Sequence, residues 1–138
     1  MLLADALAGE DAPAPFVAAI EDFVAQSVTL IDADPTENWT VERLASACAV
    51  SPSWLCERFR VALGTTPMRY LFDRRMTLAA DLLLHTSDSV ERIGHDVGFA
   101  NQPAFTRAFK RHFGSPPSEW RTLSHETADR RARALRGV

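Results

Sequence analysis

The sequence predicts an all-α protein: two helix-turn-helix subdomains joined by one long helix. Three observations carry that expectation. Thr40 to Leu44 (TVERL) and Ser89 to Ile93 (SVERI) repeat at an offset of 49 residues. With one residue inserted into the second turn the offset becomes 50, and Leu55 matches Phe105, Phe59 Phe109, Arg60 Lys110, Gly64 Gly114, Pro67 Pro117 and Tyr70 Trp120. Such an internal repeat, with caps, apolar plugs and terminal glycines in the same order, is one structural unit used twice. Between the copies, Pro67 to about His85 runs on without Gly or further Pro, and Met68, Leu71, Phe72, Met76, Ala79, Leu82 and Leu83 form a broad apolar stripe at helical spacing.

Residues 1–15, rich in Ala, Asp and Pro, are expected to be a disordered lead or the remnant of a linker. The first subdomain is assigned to 16–66. Phe16, Ile20, Phe23, Val24, Val28 and Ile31 recur at helical spacing until Asp34-Pro35 stops the run. The acids of this helix face either solvent or a partner. Trp39 is a core staple, and Thr40 caps a short helix carrying Leu44, Ala45 and Cys48. Ser51-Pro52, a cap followed by proline at the first helical position, then opens a recognition helix. Leu55, Phe59 and Leu63 are expected to point inward, with Ser53, Trp54, Cys56, Glu57 and Arg60 outward.

The linker helix is assigned to 67–86. At about 1.5 Å per residue it spans roughly 28 Å, and major grooves on one face of B-DNA recur at roughly 34 Å. Such a helix suits the role of a ruler for two readers on one duplex. Tyr70 is expected to pack on the first reader and Arg75 to pair with a carboxylate.

The second subdomain is assigned to 87–122. Ser89 is the N-cap, Val90, Ile93 and Val97 share a face, Gly98 breaks the run and Phe99 plugs the turn. Asn101 caps the next helix, where Pro103 is tolerated in the first turn. Phe105, Ala108, Phe109, His112 and Phe113 form its inner face and Gly114 ends it. The outer face holds Gln102, Thr106, Arg107, Lys110 and Arg111, the amides, hydroxyls and cations that a major groove and its phosphates accept. The expected base contacts are Asn101, Gln102, Thr106 and Arg107 in this copy and Ser53, Trp54 and Glu57 in the first. The expected phosphate contacts are Ser51, Arg58, Arg60, Lys110 and Arg111. Arg107 either grips guanine with both prongs or holds a phosphate. Glu57, which takes the place of Arg107, makes the first recognition helix either a cytosine-preferring reader or a weak one. Residues 123–138 form a basic, helix-permissive tail that either touches DNA or stays disordered.

Charge is distributed unevenly over the 138 residues. The net value is −3, but residues 1–39 hold eight acids and no Lys or Arg, whereas 40–122 carry +3 and 123–138 carry +2. The repeat region is therefore mildly basic, and weak, salt-sensitive non-specific binding is expected. Cys48 and Cys56 are too few and too isolated for a zinc site or a disulfide framework, and the four histidines have no ligand spacing. No metal, cofactor or catalytic residue is expected, since neither a nucleophile-base pair nor a phosphate loop is present. No apolar run approaches the roughly 18 residues of a membrane span, and Met1 to Ala14 lacks the form of a signal peptide. A cytoplasmic protein without membrane association is expected.

The second copy resembles the C-terminal signature of the AraC/XylS transcriptional regulators: Ile93, Gly94, Val97-Gly98-Phe99, Phe105-Thr106-Arg107-Ala108-Phe109-Lys110, Gly114, Pro117 and Trp120-Arg121. The linker is similar too, with Tyr70-Leu71, Arg75-Met76, Ala79 and Leu82-Leu83 in the family's spacing. The resemblance covers about Trp39 to Arg121. It implies two three-helix units of homeodomain type, binding adjacent major-groove segments of double-stranded promoter DNA and usually activating transcription. It also implies an effector-binding or dimerisation domain elsewhere in a longer protein. RNA polymerase is a further partner to consider, and the alternative to DNA reading is an interaction module that docks such a protein. Gly94 stands where the family usually has alanine, a change that costs up to about 1 kcal/mol in a helix interior unless close helix contact demands it.

Overall fold

The computed structural model describes residues 14–137, with side chains from residue 22. The expectation of a disordered lead falls largely on residues outside this range, as do the side chains of Phe16 and Ile20. Among the described residues seven helices follow one another: α1 (Ala14–Ala33), α2 (Val41–Ala47), α3 (Pro52–Leu63), α4 (Pro67–His85), α5 (Val90–Asp96), α6 (Gln102–Phe113) and α7 (Pro117–Arg136). No strand occurs among them, and the fold class is the expected all-α one. Two compact units divide between Leu71 and Phe72, inside the unbroken α4.

The helix boundaries follow from local chemistry. The hydroxyls of Thr40, Ser51 and Ser89 and the amide oxygen of Asn101 accept from the backbone N–H three residues on, at 3.0, 3.2, 3.0 and 2.9 Å. Each thereby satisfies one of the amides left without a partner in a first helical turn. Gly64 and Gly114 close α3 and α6 in left-handed conformation, with φ of 73° and 91°.

In the first unit Ile31, Leu44, Ala45, Leu55 and Leu71 form the core, with Trp39, Val50, Met68 and Tyr70 packed on it. Ser27 lies wholly buried on the inner face of α1, where its hydroxyl donates to the Phe23 carbonyl at 3.1 Å and meets the Cys48 sulfur at 3.4 Å. A polar residue in an apolar seam is tolerable there because its own helix supplies the acceptor. Tyr70 packs edge-on against Phe59, as expected, and its hydroxyl also donates to the Asp32 carboxylate at 2.9 and 3.0 Å.

Leu63 corrects the expectation. It is 48% exposed and lines an open cleft with Val24, Val28 and Ala62. Its repeat partner Phe113 is covered by Trp120, at 5.5 Å between ring centroids. The residue matching Trp120 is Tyr70, whose ring packs on Phe59 as Trp120 packs on Phe109, with its hydroxyl on Asp32.

In the second unit Met76, Ala79, Leu83, Ile93, Val97, Phe105, Ala108 and Phe109 are buried together, and Phe72, Phe99, Phe113 and Trp120 pack around them. α7 continues as helix to Arg136, so the tail is ordered secondary structure across nearly all of its length.

Candidate nucleic-acid interface

The turn between α5 and α6 is built from residues that a helix could not continue through. Gly98 has φ of 102° and lies against the guanidinium of Arg75, to whose Cζ a β-carbon at this position would stand 3.0 Å. Burial pulls the Arg75 pKa below its ordinary value, since the charged form loses hydration. Phe99 then drops onto Phe105, at 5.5 Å between centroids. In the first copy the turn is one residue shorter, and Ala49 stands where Gly98 stands, at φ of 59°.

These turns fix which side of each second helix is available. α6 buries Phe105, Ala108 and Phe109 and leaves Asn101, Gln102, Arg107, Lys110 and Arg111 exposed, with Thr106 half-buried. Asn101 uses its amide oxygen for the cap, so the NH2 donors are what remain for a ligand. Arg107, Lys110 and Arg111 make no ion pair among the described residues. His112, expected on the inner face, is exposed as a residue, although its ring lies 5.8 Å from Phe72 and Nδ1 3.8 Å from the Asp73 carboxylate.

The corresponding face of α3 is different in kind. Ser51, Ser53, Glu57 and Arg60 are exposed, and Glu57 and Arg60 stand 3.8 Å apart, so the two formal charges cancel. Val61 takes the place of Arg111 and is 67% exposed. Trp54 is half-buried, edge-on to Phe23 of α1 at 5.7 Å, so part of its ring serves packing. Cys56, matching Thr106, is half-buried too. Arg58 matches the buried Ala108, and its Nε is sealed from solvent without a hydrogen-bond partner. It is a partly inward cation, unlike the exposed Arg60, and the repeat register was the signal that could have foretold it.

α6 therefore presents three unpaired cations beside amide donors, whereas α3 presents a largely neutral face on which polar groups adjoin the exposed Val61. The first arrangement suits base edges flanked by phosphates; the second adds shape and hydrogen bonding with little long-range attraction. Among the described residues no cluster of His, Cys, Asp or Glu could hold a metal ion, and no helix is long and apolar enough to cross a membrane.

Comparison with known proteins places these features in context. A model described as a helix-turn-helix domain matches residues 44–123, more than half of the chain. An AraC-like transcription regulator of Streptomyces antibioticus is 39% identical over 112 residues, 80% of this chain and 37% of that protein. Among solved structures, an AraC-type regulator from Chromobacterium violaceum superposes with TM-score 0.69 at 31% identity, covering 76% of this chain and 94% of the other. The DNA-binding domain of AdpA, solved in complex with a target DNA, does so with TM-score 0.71 at 28% identity over 75% and 94% of the two chains. The chain spans about a third of the length of the curated relatives it matches.

Proposed function

The chain belongs to the AraC/XylS family of helix-turn-helix transcription regulators, and from that premise we propose how it reads DNA. It is a sequence-specific DNA-binding domain of AraC type. α6 enters a major groove, with Arg107 paired to guanine, Gln102 to adenine, and Asn101 and Thr106 on adjoining bases or backbone, while Lys110 and Arg111 hold phosphates. α3 enters the neighbouring major-groove segment, with Ser53, Glu57 and the exposed part of Trp54 towards bases and Ser51 and Arg60 towards the backbone; Arg58 contributes less. The carrying observation is the exposed, unpaired Arg107-Lys110-Arg111 set on the outer face of α6.

The domain works without catalysis, in the cytoplasm, as the DNA-binding part of a regulator whose effector or dimerisation domain lies in another segment, and RNA polymerase is the protein it would meet at a promoter. Selection of bound sequences from random duplexes tests the core of it. Two recovered blocks about one helical turn apart are expected. A single block would make α3 silent, and equal recovery of every sequence would overturn the reading.

A further inference from the structure

The C-terminal half of α7 is not accounted for by either reader. The family match ends at residue 123, yet the helix runs on to Arg136. Residues 130–136, RRARALR, place four guanidiniums within seven positions. Arg130, Arg131, Arg133 and Arg136 are all exposed, and among the described residues none makes an ion pair or a side-chain hydrogen bond. Arg133 and Arg136 complement the helix C-terminus; Arg130 and Arg131 lie too far back for that. Four like charges so close together repel one another, and a polyanion would relieve the repulsion.

The anchoring of α7 says where this half emerges. Trp120 packs on Phe109 and Phe113, each at 5.5 Å. Arg121 donates from Nε to the Leu83 carbonyl at 2.9 Å and from Nη2 to that of Thr86 at 3.4 Å, and His125 Nε2 meets the Leu84 carbonyl at 3.2 Å. These bonds clamp α7 to the end of α4, at the mouth of the loop leading to α5. In a homeodomain-type unit the loop between the first two helices touches the phosphate backbone. From His125 the helix extends about 17 Å further, at about 1.5 Å per residue.

We propose that residues 130–136 are a third DNA contact, a helical basic arm that engages backbone phosphates flanking the segment read by α6. The inference rests on the DNA-binding reading above and adds to it a surface that carries charge but no sequence information. Its test is the salt dependence of binding by the full chain, wild type against the fourfold variant Arg130→Gln, Arg131→Gln, Arg133→Gln, Arg136→Gln. Every phosphate that a cation neutralises adds about 0.9 to the slope of log K against log salt, so the fourfold variant should be shallower by at least about 2. Its preferred sequence should not change. The matching fourfold lysine variant should keep the wild-type slope, which separates charge from helix stability.

An unchanged slope in the glutamine variant, with wild-type sequence selection intact, would overturn the arm and leave the reader standing; the arginines would then serve another acidic partner. A shallower slope in the lysine variant as well would also overturn it. Wild type binding all duplexes alike would sink the reader, while the slope difference between variants would still decide for or against the arm.

Discussion

Gly94 and Phe105 occupy one space: a β-carbon on Gly94 would stand 2.9 Å from Cγ and Cδ2 of the Phe105 ring and 3.0 Å from its Cβ. Two of those atoms are the root of the side chain rather than its tip, and Phe105 is wholly buried, so the ring has nowhere to retreat. In the first copy the matching pair is Ala45 and Leu55, both buried in one core. The volume removed from one helix has been added to the other.

Gly94→Ala should therefore destabilise the protein, against the helix-propensity gain of about 1 kcal/mol that the substitution would bring at an open site. Overpacking of this kind costs about 1 to 3 kcal/mol, and a lowered thermal midpoint would register it. Adding Phe105→Leu restores the pairing of the first copy, so the double variant should be more stable than the two single effects sum to, by at least about 0.5 kcal/mol. Simple additivity would show that the two residues do not compete for space.

The two turns make a second pair of opposite expectations. Ala49 sits at φ of 59° and Gly98 at φ of 102°, in a region where a β-carbon costs roughly 1 kcal/mol or more. Ala49→Gly should stabilise by about 0.5 to 1 kcal/mol. Gly98→Ala should destabilise by more than that, because it adds a contact of 3.0 Å to the Arg75 guanidinium carbon. Urea midpoints of the two variants should move in opposite directions.

What could be read in the sequence was what depends on neighbours along the chain. The caps at Thr40, Ser51, Ser89 and Asn101 and the glycines that end α3 and α6 bond within a turn of themselves, and the repeat then assigned them to two equivalent units. Residues whose setting depends on a distant partner were not legible. Leu63 is exposed where its counterpart Phe113 is covered by Trp120, Trp54 is half-covered because Phe23 lies beside it, and Ser27 is buried against Cys48. The helical course of α7 is similar: nothing local distinguishes it from a solvated tail, and its clamp onto α4 is made by Arg121 and His125 to carbonyls of residues 83–86.

On the proposed reading, the outer face of α6 makes two kinds of contact. Arg107→Ala should relax preference at a single base pair, costing about 1 to 3 kcal/mol on the best sequence and little on others. Lys110→Ala should weaken binding to all duplexes alike and lower the salt slope by about 1. Competition assays with single-base variants of a selected site distinguish the two. A uniform weakening for Arg107→Ala would reduce that residue to a phosphate contact.

Glu57 gives the sharpest asymmetry between the two readers, because it places a carboxylate where α6 has Arg107. Its partner Arg60, 3.8 Å away with both side chains more than half exposed, offsets the charge but gains little from the pairing at that exposure. Removing one negative charge about 7 Å from a phosphate in water-like dielectric is worth about 0.6 kcal/mol, and Arg60 is released at the same time. Glu57→Gln should therefore raise affinity for non-specific duplex about two- to threefold at low salt, with the gain shrinking as salt screens it. If Glu57 accepts from a cytosine amino group, the same variant should also lose selectivity at one position of the block assigned to α3. A variant that gains affinity without losing selectivity makes Glu57 a brake on binding, and one that does neither shows that α3 lies away from the duplex.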